Sequence, residues 1–230
     1  MKRLAALILC CVCAVVVAAQ KNVLAGIPDT GAAPAAFIPK GYDTLETARG
    51  DLNKDGKADI VLALQSDAER DYSFEMETAQ NPDELPARIL LVLLKQDKGY
   101  RLVAKSDEAL LCKHCGGLYG DPFAGISIDK GILIVEHYGG SAWRWGYTHK
   151  FRWQKNGMYL IGQTSLSYWN VSLCEKLDEF AGTEYMDINF VTGQYEQKKV
   201  SAEGCKMLIN KKGKKAVKPL KKLSQFSIEQ

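Results

Sequence analysis

From Trp143 to Trp153 every second residue carries a ring: Trp143, Trp145, Tyr147, His149, Phe151 and Trp153 alternate with Arg144, Gly146, Thr148, Lys150 and Arg152. A side-chain period of two sustained over eleven residues describes a β-strand with two unlike faces, and a helix cannot present it. The pattern also demands a packing partner, because a ring-lined face left in water would be a large apolar patch. A partner strand follows at once. Lys155-Asn156-Gly157 leads into Tyr159 to Leu166, and Asn-Gly between alternating apolar residues is a strong hairpin signal.

The same grammar recurs along the chain. Phe123 to Ile128 meets Ile132 to Glu136 across Asp129-Lys130-Gly131, and Tyr185 to Val191 turns at Thr192-Gly193 into Gln194 to Val200. Ala58 to Leu64 and Ala87 to Leu94 are short runs, apolar apart from Asp59 and Arg88, suited to buried strands. Ser66 to Pro86, between them, is acidic and polar and reads as a long surface loop. The turn Lys95 to Tyr100 leads into Arg101 to Ala104, and only Leu173 to Ala181 suggests a short helix. About nine strands therefore predict an all-β fold, an antiparallel meander of hairpins arranged as an incomplete β-propeller or as a sandwich. At 230 residues, 47% hydrophobic and 25% charged, the chain can bury a real core, and wholesale disorder is disfavoured.

The beginning of the sequence is read as an address. Met1-Lys2-Arg3 precedes the apolar run Leu4 to Ala18, and Val17-Ala18-Ala19 before Gln20 suits signal-peptidase cleavage. The run falls short of the ~20 residues that cross a bilayer. Cys10, Cys11 and Cys13 follow Leu9, Cys10 and Val12, where lipidation wants a small residue. The expected organisation is a signal peptide over 1–19, a flexible leader over 20–40, a β domain over 41–200 and a lysine-rich segment over 201–230. The expected location is periplasmic or secreted, with no transmembrane segment in the mature chain. An exported chain with Cys112, Cys115, Cys174 and Cys205 suggests two disulfides. Of three pairings, Cys112–Cys115 with Cys174–Cys205 is favoured on proximity.

Charge is unevenly placed. From Lys198 to the end, ten lysines face Glu203 and Glu229, a net +8 (10 − 2). Such an end can attract anionic partners. With no arginine and only Phe226 as an aromatic, it lacks the stacking residues of a nucleic-acid binder. A solvated tail docked partly on its own acidic body is preferred.

One loop carries recognisable chemistry. Asp51-Leu52-Asn53-Lys54-Asp55-Gly56-Lys57-Ala58-Asp59 offers side-chain oxygens at alternate positions around a glycine that permits a sharp turn. A hard Ca²⁺ ion, which takes six to eight oxygens, is suited to such a loop. Asp51, Asn53, Asp55 and Asp59 would give side chains, and Lys57 its carbonyl. An EF-hand needs a bidentate Glu at loop position twelve, where Leu62 stands, and flanking helices, where a strand-like run follows. The expectation is a structural calcium loop feeding a strand. The bland alternative is a polar turn that holds Asp and Gly for their backbone preferences.

Gly50 to Ile60 resembles the loop G-D-x-[ND]-x-D-G-x-x-D-[ILV] of FG-GAP (VCBS-type) repeats, found in integrin-α-like β-propellers and many exported bacterial proteins. The resemblance implies an extracytoplasmic β-structure in which calcium clips a loop between strands. It covers one repeat, about Leu45 to Ala104. No second acidic loop of this kind follows, so a complete propeller is not expected. Cys115-Gly116-Gly117, Gly120 to Phe123, Gly139 to Ser141 and Phe151-Arg152 also look like exported bacterial proteins carrying such a loop, which implies no particular activity.

Other candidates were weighed against plainer roles. Cys112-Lys113-His114-Cys115 has redox-motif spacing, but Gly116-Gly117 starts no helix to lower a thiol pKa, so a structural disulfide is preferred. Zinc would need four ligands. A hydrolase would recruit Glu136, His137 and Asp121, with Ser141 as nucleophile, yet no nucleophile elbow is present. Asn170-Val171-Ser172 is a formal glycosylation sequon. The aromatics around Trp143 and Trp145 are either core or a ligand-stacking surface. The balance falls on a non-catalytic binding or structural module of the cell envelope, taking a protein or glycan ligand. A periplasmic enzyme at Cys112/Cys115 or Glu136/His137 is the alternative.

Overall fold

A computed structural model describes residues 23–72, 85–170 and 180–228. The expected signal peptide, most of the candidate helix at Leu173, Cys174 and the middle of the acidic loop lie outside the described residues. Within them the chain is all-β, with two antiparallel sheets and no closed barrel. The first sheet contains β1 (Thr30–Gly31), β2 (Tyr42–Gly50), β3 (Asp59–Ser66), β4 (Ile89–Lys95) and β5 (Tyr100–Ser106), in the order β1-β5-β4-β3-β2. The second contains β6 (Phe123–Asp129), β7 (Ile132–Gly140), β8 (Trp143–Gln154), β9 (Gly157–Trp169), β10 (Glu184–Asn189), β11 (Gln194–Val200) and β12 (Met207–Lys214). These seven lie side by side in chain order. The sheets meet edge to edge at β2 and β6, where the Ile126 amide donates to Glu46 Oε2 at 3.2 Å, and then face each other. The arrangement is sandwich-like.

Two hairpins show how local chemistry sets register. Lys155 and Asn156 have φ of 49° and 58°, and Lys130 and Gly131 have 50° and 79°. Paired positive φ values are those of a type I′ turn, whose twist matches the strands it joins. In the β8–β9 hairpin the turn residues are therefore Lys155-Asn156. Gly157, expected to share in the turn, is the first residue of β9 and pairs with Gln154.

Strands β3 and β4 are apolar without alternation because both of their faces are covered. Val61, Ala63, Leu90, Val92 and Leu94 pack toward the second sheet with Leu133, Val135 and Phe151. Ile60, Leu62, Leu64, Ile89, Leu91 and Leu93 pack outward, against Ile27, Phe37 and Tyr42. Residues 23–40, expected as a flexible leader, thus supply the second cover: Ile27 is 4% exposed and Phe37 is 0%. Full burial of a side chain such as Phe37 contributes roughly 2 kcal/mol, which a solvated leader would forgo. The acidic loop after β3 begins with a short helix, α1 (Asp67–Asp71), capped by Ser66 Oγ accepting from the Glu69 amide at 3.1 Å.

The lysine-rich end is more structured than a solvated tail. Met207–Lys214 forms the edge strand β12 on β11, with Lys212 ion-paired to Glu196 at 3.1 Å. Lysines along an exposed edge discourage pairing with other chains. The chain then crosses back over the sheet. The Lys215 amide donates to Gly193 O and the Leu160 amide to Lys221 O, both at 2.9 Å. A 3-10 turn at Leu223–Gln225 follows, burying Leu223 and Phe226 between the sheets. Among the described residues no helix is long and apolar enough to cross a membrane.

Candidate functional site

The ring-bearing face of β8 points inward, and its burial changes along the strand. Phe151 is 0% exposed and His149 2%, whereas Trp143 is 49% exposed. The five-stranded sheet and the 3-10 turn cover only the end of β8 near the Lys155-Asn156 hairpin. The rings form a chain from core to surface. Phe151 and Phe226 centroids are 5.3 Å apart, Phe226 and His149 4.7 Å, His149 and Tyr147 6.1 Å, and Tyr147 and Trp145 5.4 Å. Beyond them Trp143 stacks on Trp169 of β9 at 5.9 Å and 18°. Core and open surface are therefore two ends of one face.

Two glycines set the indoles in place. A Cβ on Gly139 would lie 2.5 Å from Trp145 Cζ2, and one on Gly182, at φ 64°, would lie 2.6 Å from Trp143 Cη2. Each indole occupies the space of an absent side chain. On the opposite face the Arg144 guanidinium sits 4.7 Å over the Tyr119 ring, and the Tyr138 and Tyr168 hydroxyls are 2.9 Å apart. Burial and then the Tyr138 hydrogen bond push the Tyr168 phenol above its ordinary range.

His137 and His149 share the inner face of the sheet. His137 Nε2 accepts from the Leu111 amide at 3.2 Å, so its proton sits on Nδ1, which has no hydrogen-bond partner; His149 Nδ1 has none either. Burial holds both rings neutral, with pKa values lowered to about 4. For His137 the neighbouring His149 and Arg88 act in the same direction.

The Asp51–Asp59 loop links β2 to β3 and is closed by its own side chains. Asp51 accepts from the amides of Asp55 (3.1 Å) and Gly56 (2.8 Å), Asn53 Oδ1 from Asp55 N (3.1 Å), and Asp55 Oδ1 from Lys57 N (2.9 Å). The Lys57 amide and then the Asn53 side chain lower the Asp55 pKa. Lys54 at φ 63° and Gly56 at 83° make the turn. Asp59 is fully buried, and its two oxygens accept from Leu52 N and Lys95 N, each at 2.8 Å. It thereby staples the loop to the end of β4, and burial raises its pKa. Lys57 turns outward to Asp97 at 2.5 Å. The donor set is the hard-oxygen type that calcium takes, and each carboxylate oxygen that accepts one amide keeps a second lone pair. Among the described residues, however, the one group of three His, Cys, Asp or Glu side chains with ligand atoms within 4.8 Å of one another is Cys112, His114 and Cys115. Asp51, Asp55 and Asp59 stand further apart than that.

Cys112 and Cys115 form a disulfide, with Cα atoms 5.1 Å apart, closing a turn in which Cys115 N donates to Cys112 O at 3.0 Å. Bonded sulfurs are not thiolate ligands for a metal. The pairing expected between Cys205 and Cys174 involves a residue outside those described. Glu136 and His137 are adjacent on β7 and project to opposite faces, Glu136 exposed and His137 2% exposed. The two cannot act on one substrate atom. Ser141 lies in the β7–β8 turn, its amide donating to Trp143 O at 2.8 Å.

Asp121 belongs to a cluster that sequence reasoning did not identify. Arg88, fully buried, donates to Glu69 Oε2 at 2.9 Å and to both oxygens of Asp121 at 2.8 and 2.6 Å. Burial opposes the guanidinium charge, but Asp121 and Glu69 outweigh it, so the Arg88 pKa is raised. Glu69 also accepts from Lys113 N at 2.7 Å. The cluster ties α1, the start of β4, the disulfide turn and the approach to β6 together. Only a lone arginine heading an apolar run marks it in the sequence.

No protein-family model, curated protein or solved structure matches the chain.

Proposed function

We propose that this chain is an exported, calcium-binding β protein acting as a non-catalytic binding module of the cell envelope or exterior. Its ligand, a glycan or protein, would contact the Trp143–Trp145 end of the seven-stranded sheet. The observation that carries this reading is the single face of β8, fully buried at Phe151 and 49% exposed at Trp143. Indoles held on a rigid strand and backed by Gly139 and Gly182 are preorganised for stacking, which lowers the ordering cost of binding. The dispersal of Glu136 from His137 and the closed disulfide favour binding over catalysis.

The Asp51–Asp59 loop fits the FG-GAP-type reading in its donors and in its position between two strands. Asp51, Asn53, Asp55 and Asp59, with the Lys57 carbonyl, would hold the ion. Calcium would supply positive charge that draws the carboxylates together and stiffens the β2–β3 connection. The binding reading is tested with a glycan array and a secreted-protein pull-down, using wild type beside Trp143→Ala and Trp145→Ala. Binding that either substitution abolishes supports it. Ligands bound equally by both variants would place the site elsewhere.

A further inference from the structure

The half of the second sheet not covered by the first is roofed in part by the chain's own end. Residues 215–221 cross from the β10–β11 turn to β9, pinned by the Lys215–Gly193 and Leu160–Lys221 backbone hydrogen bonds. Among the described residues, 216–220 make no backbone hydrogen bond. This strap is therefore fixed at its ends and free along its middle. Beneath it lies a recess of about 1120 Å³, room enough for a ligand of drug or lipid size.

The lining is graded. Where the recess adjoins the core, the wall is apolar: Leu160, Ile188, Phe190, Phe226 and, from the strap, Val217 and Leu220. Across the floor, register places Tyr147, Ser165, Met186 and Gln197 in one row on the inner face of β8 to β11. Ser165 and Gln197 make no side-chain hydrogen bond among the described residues. At the mouth the charge is positive. Lys215, Lys218 and Lys221 recur every third residue along the strap, all exposed and none paired with a carboxylate. The one acidic residue of the lining, Glu184, is neutralised by Lys199.

We propose that this recess binds an amphipathic anion, an acyl chain carrying a negatively charged headgroup. The chain would lie under Val217 and Leu220 against Ile188, Phe190 and Phe226, and the headgroup would meet the strap lysines. Water against the apolar wall of the recess is released on occupancy, so the tail supplies affinity. Lysines at the mouth that no carboxylate neutralises select charge, and the Lys215 ammonium also lies 5.0 Å over the Tyr195 ring. The unbonded middle of the strap gives a way in that leaves both sheets intact. The inference does not depend on the Trp143–Trp145 reading or on calcium, and its failure would leave both standing.

The test uses the intact mature protein and calorimetric titration with decanoate, set against 1-decanol (the tail without charge) and acetate (the charge without a tail). Decanoate is expected to bind about tenfold more tightly than 1-decanol, with acetate not bound. Lys215→Ser/Lys218→Ser/Lys221→Ser, all at exposed positions, is expected to erase that advantage. Met186→Trp, which fills the floor, is expected to abolish binding while the thermal unfolding curve shows a folded protein. If Met186→Trp does not fold, the triple-lysine variant alone decides. No decanoate binding, equal affinity for decanol, or unchanged decanoate affinity in the triple variant would overturn the proposal.

Discussion

Acidification should unfold this protein earlier than its carboxylates alone would require. His137 and His149 are each 2% exposed and stay neutral in the folded state down to about pH 4. In the unfolded chain a histidine titrates near its reference value of about 6.5. Between these values the unfolded state binds more protons, so the stabilisation is present above the unfolded value and is lost as pH falls toward the folded one. One pKa unit corresponds to about 1.4 kcal/mol, so lowering pH from about 7 to about 5.5 costs about 1.2 kcal/mol per ring and about 2.5 kcal/mol for both. That is a large share of a typical stability. The raised carboxyl of Asp59 acts with the opposite sign, so the histidine share is read from a variant at each pH. His149→Phe keeps a ring between Tyr147 and Phe226 and removes one titration. Urea unfolding monitored by tryptophan fluorescence should give a pH dependence smaller by about 1.2 kcal/mol over that window. Identical slopes in wild type and variant would refute the reasoning, as would stability that stays flat over the window.

Three other outcomes follow from the packing. Arg88→Met should destabilise by about 3–5 kcal/mol, because Glu69 is left buried without its cation; adding Glu69→Gln should recover part of the loss in a denaturant titration. Phe226→Ala should cost about 3–5 kcal/mol and release the strap, seen as faster amide exchange at Leu160. Gly139→Ala should cost about 1–3 kcal/mol and swing Trp145 off β7, read as a shift in its emission; an unaltered spectrum would mean that the indole does not depend on the missing side chain.

Elements whose determinants are local were legible in the sequence. The β6–β7, β8–β9 and β10–β11 hairpins need only a turn and two alternating flanks, and the apolar runs of β3 and β4 carry their own length. Strand β2 was not delimited inside the β domain expected from residue 41, because it is a sheet edge, mostly polar along Asp43 to Glu46, and its pairing with β3 is broken by a register shift between Thr44 and Glu46. Strand β12 was hidden by its lysines, which read as a tail until β11 is there to receive them. Ile27 and Phe37 show no period, so their role as a cover appears only with the surface they cover. Arg88 reaches partners 19 and 33 residues away. The alternation of Trp143 to Trp153 foretold a packed face but not where packing stops. That limit is set by a facing sheet of five strands against seven.

The reading of an exported, ion-clipped module is tested most directly by calorimetric titration of the chelated protein with Ca²⁺, beside Mg²⁺ and beside Asp51→Asn/Asp55→Asn. Saturable binding of one calcium, absent in the double variant, is the expected result. A ligand present at about 100 times its dissociation constant adds about 2.7 kcal/mol of stability, so melting should rise with calcium in wild type alone. No heat of binding, together with a melting curve that neither calcium nor chelator moves, would contradict the account.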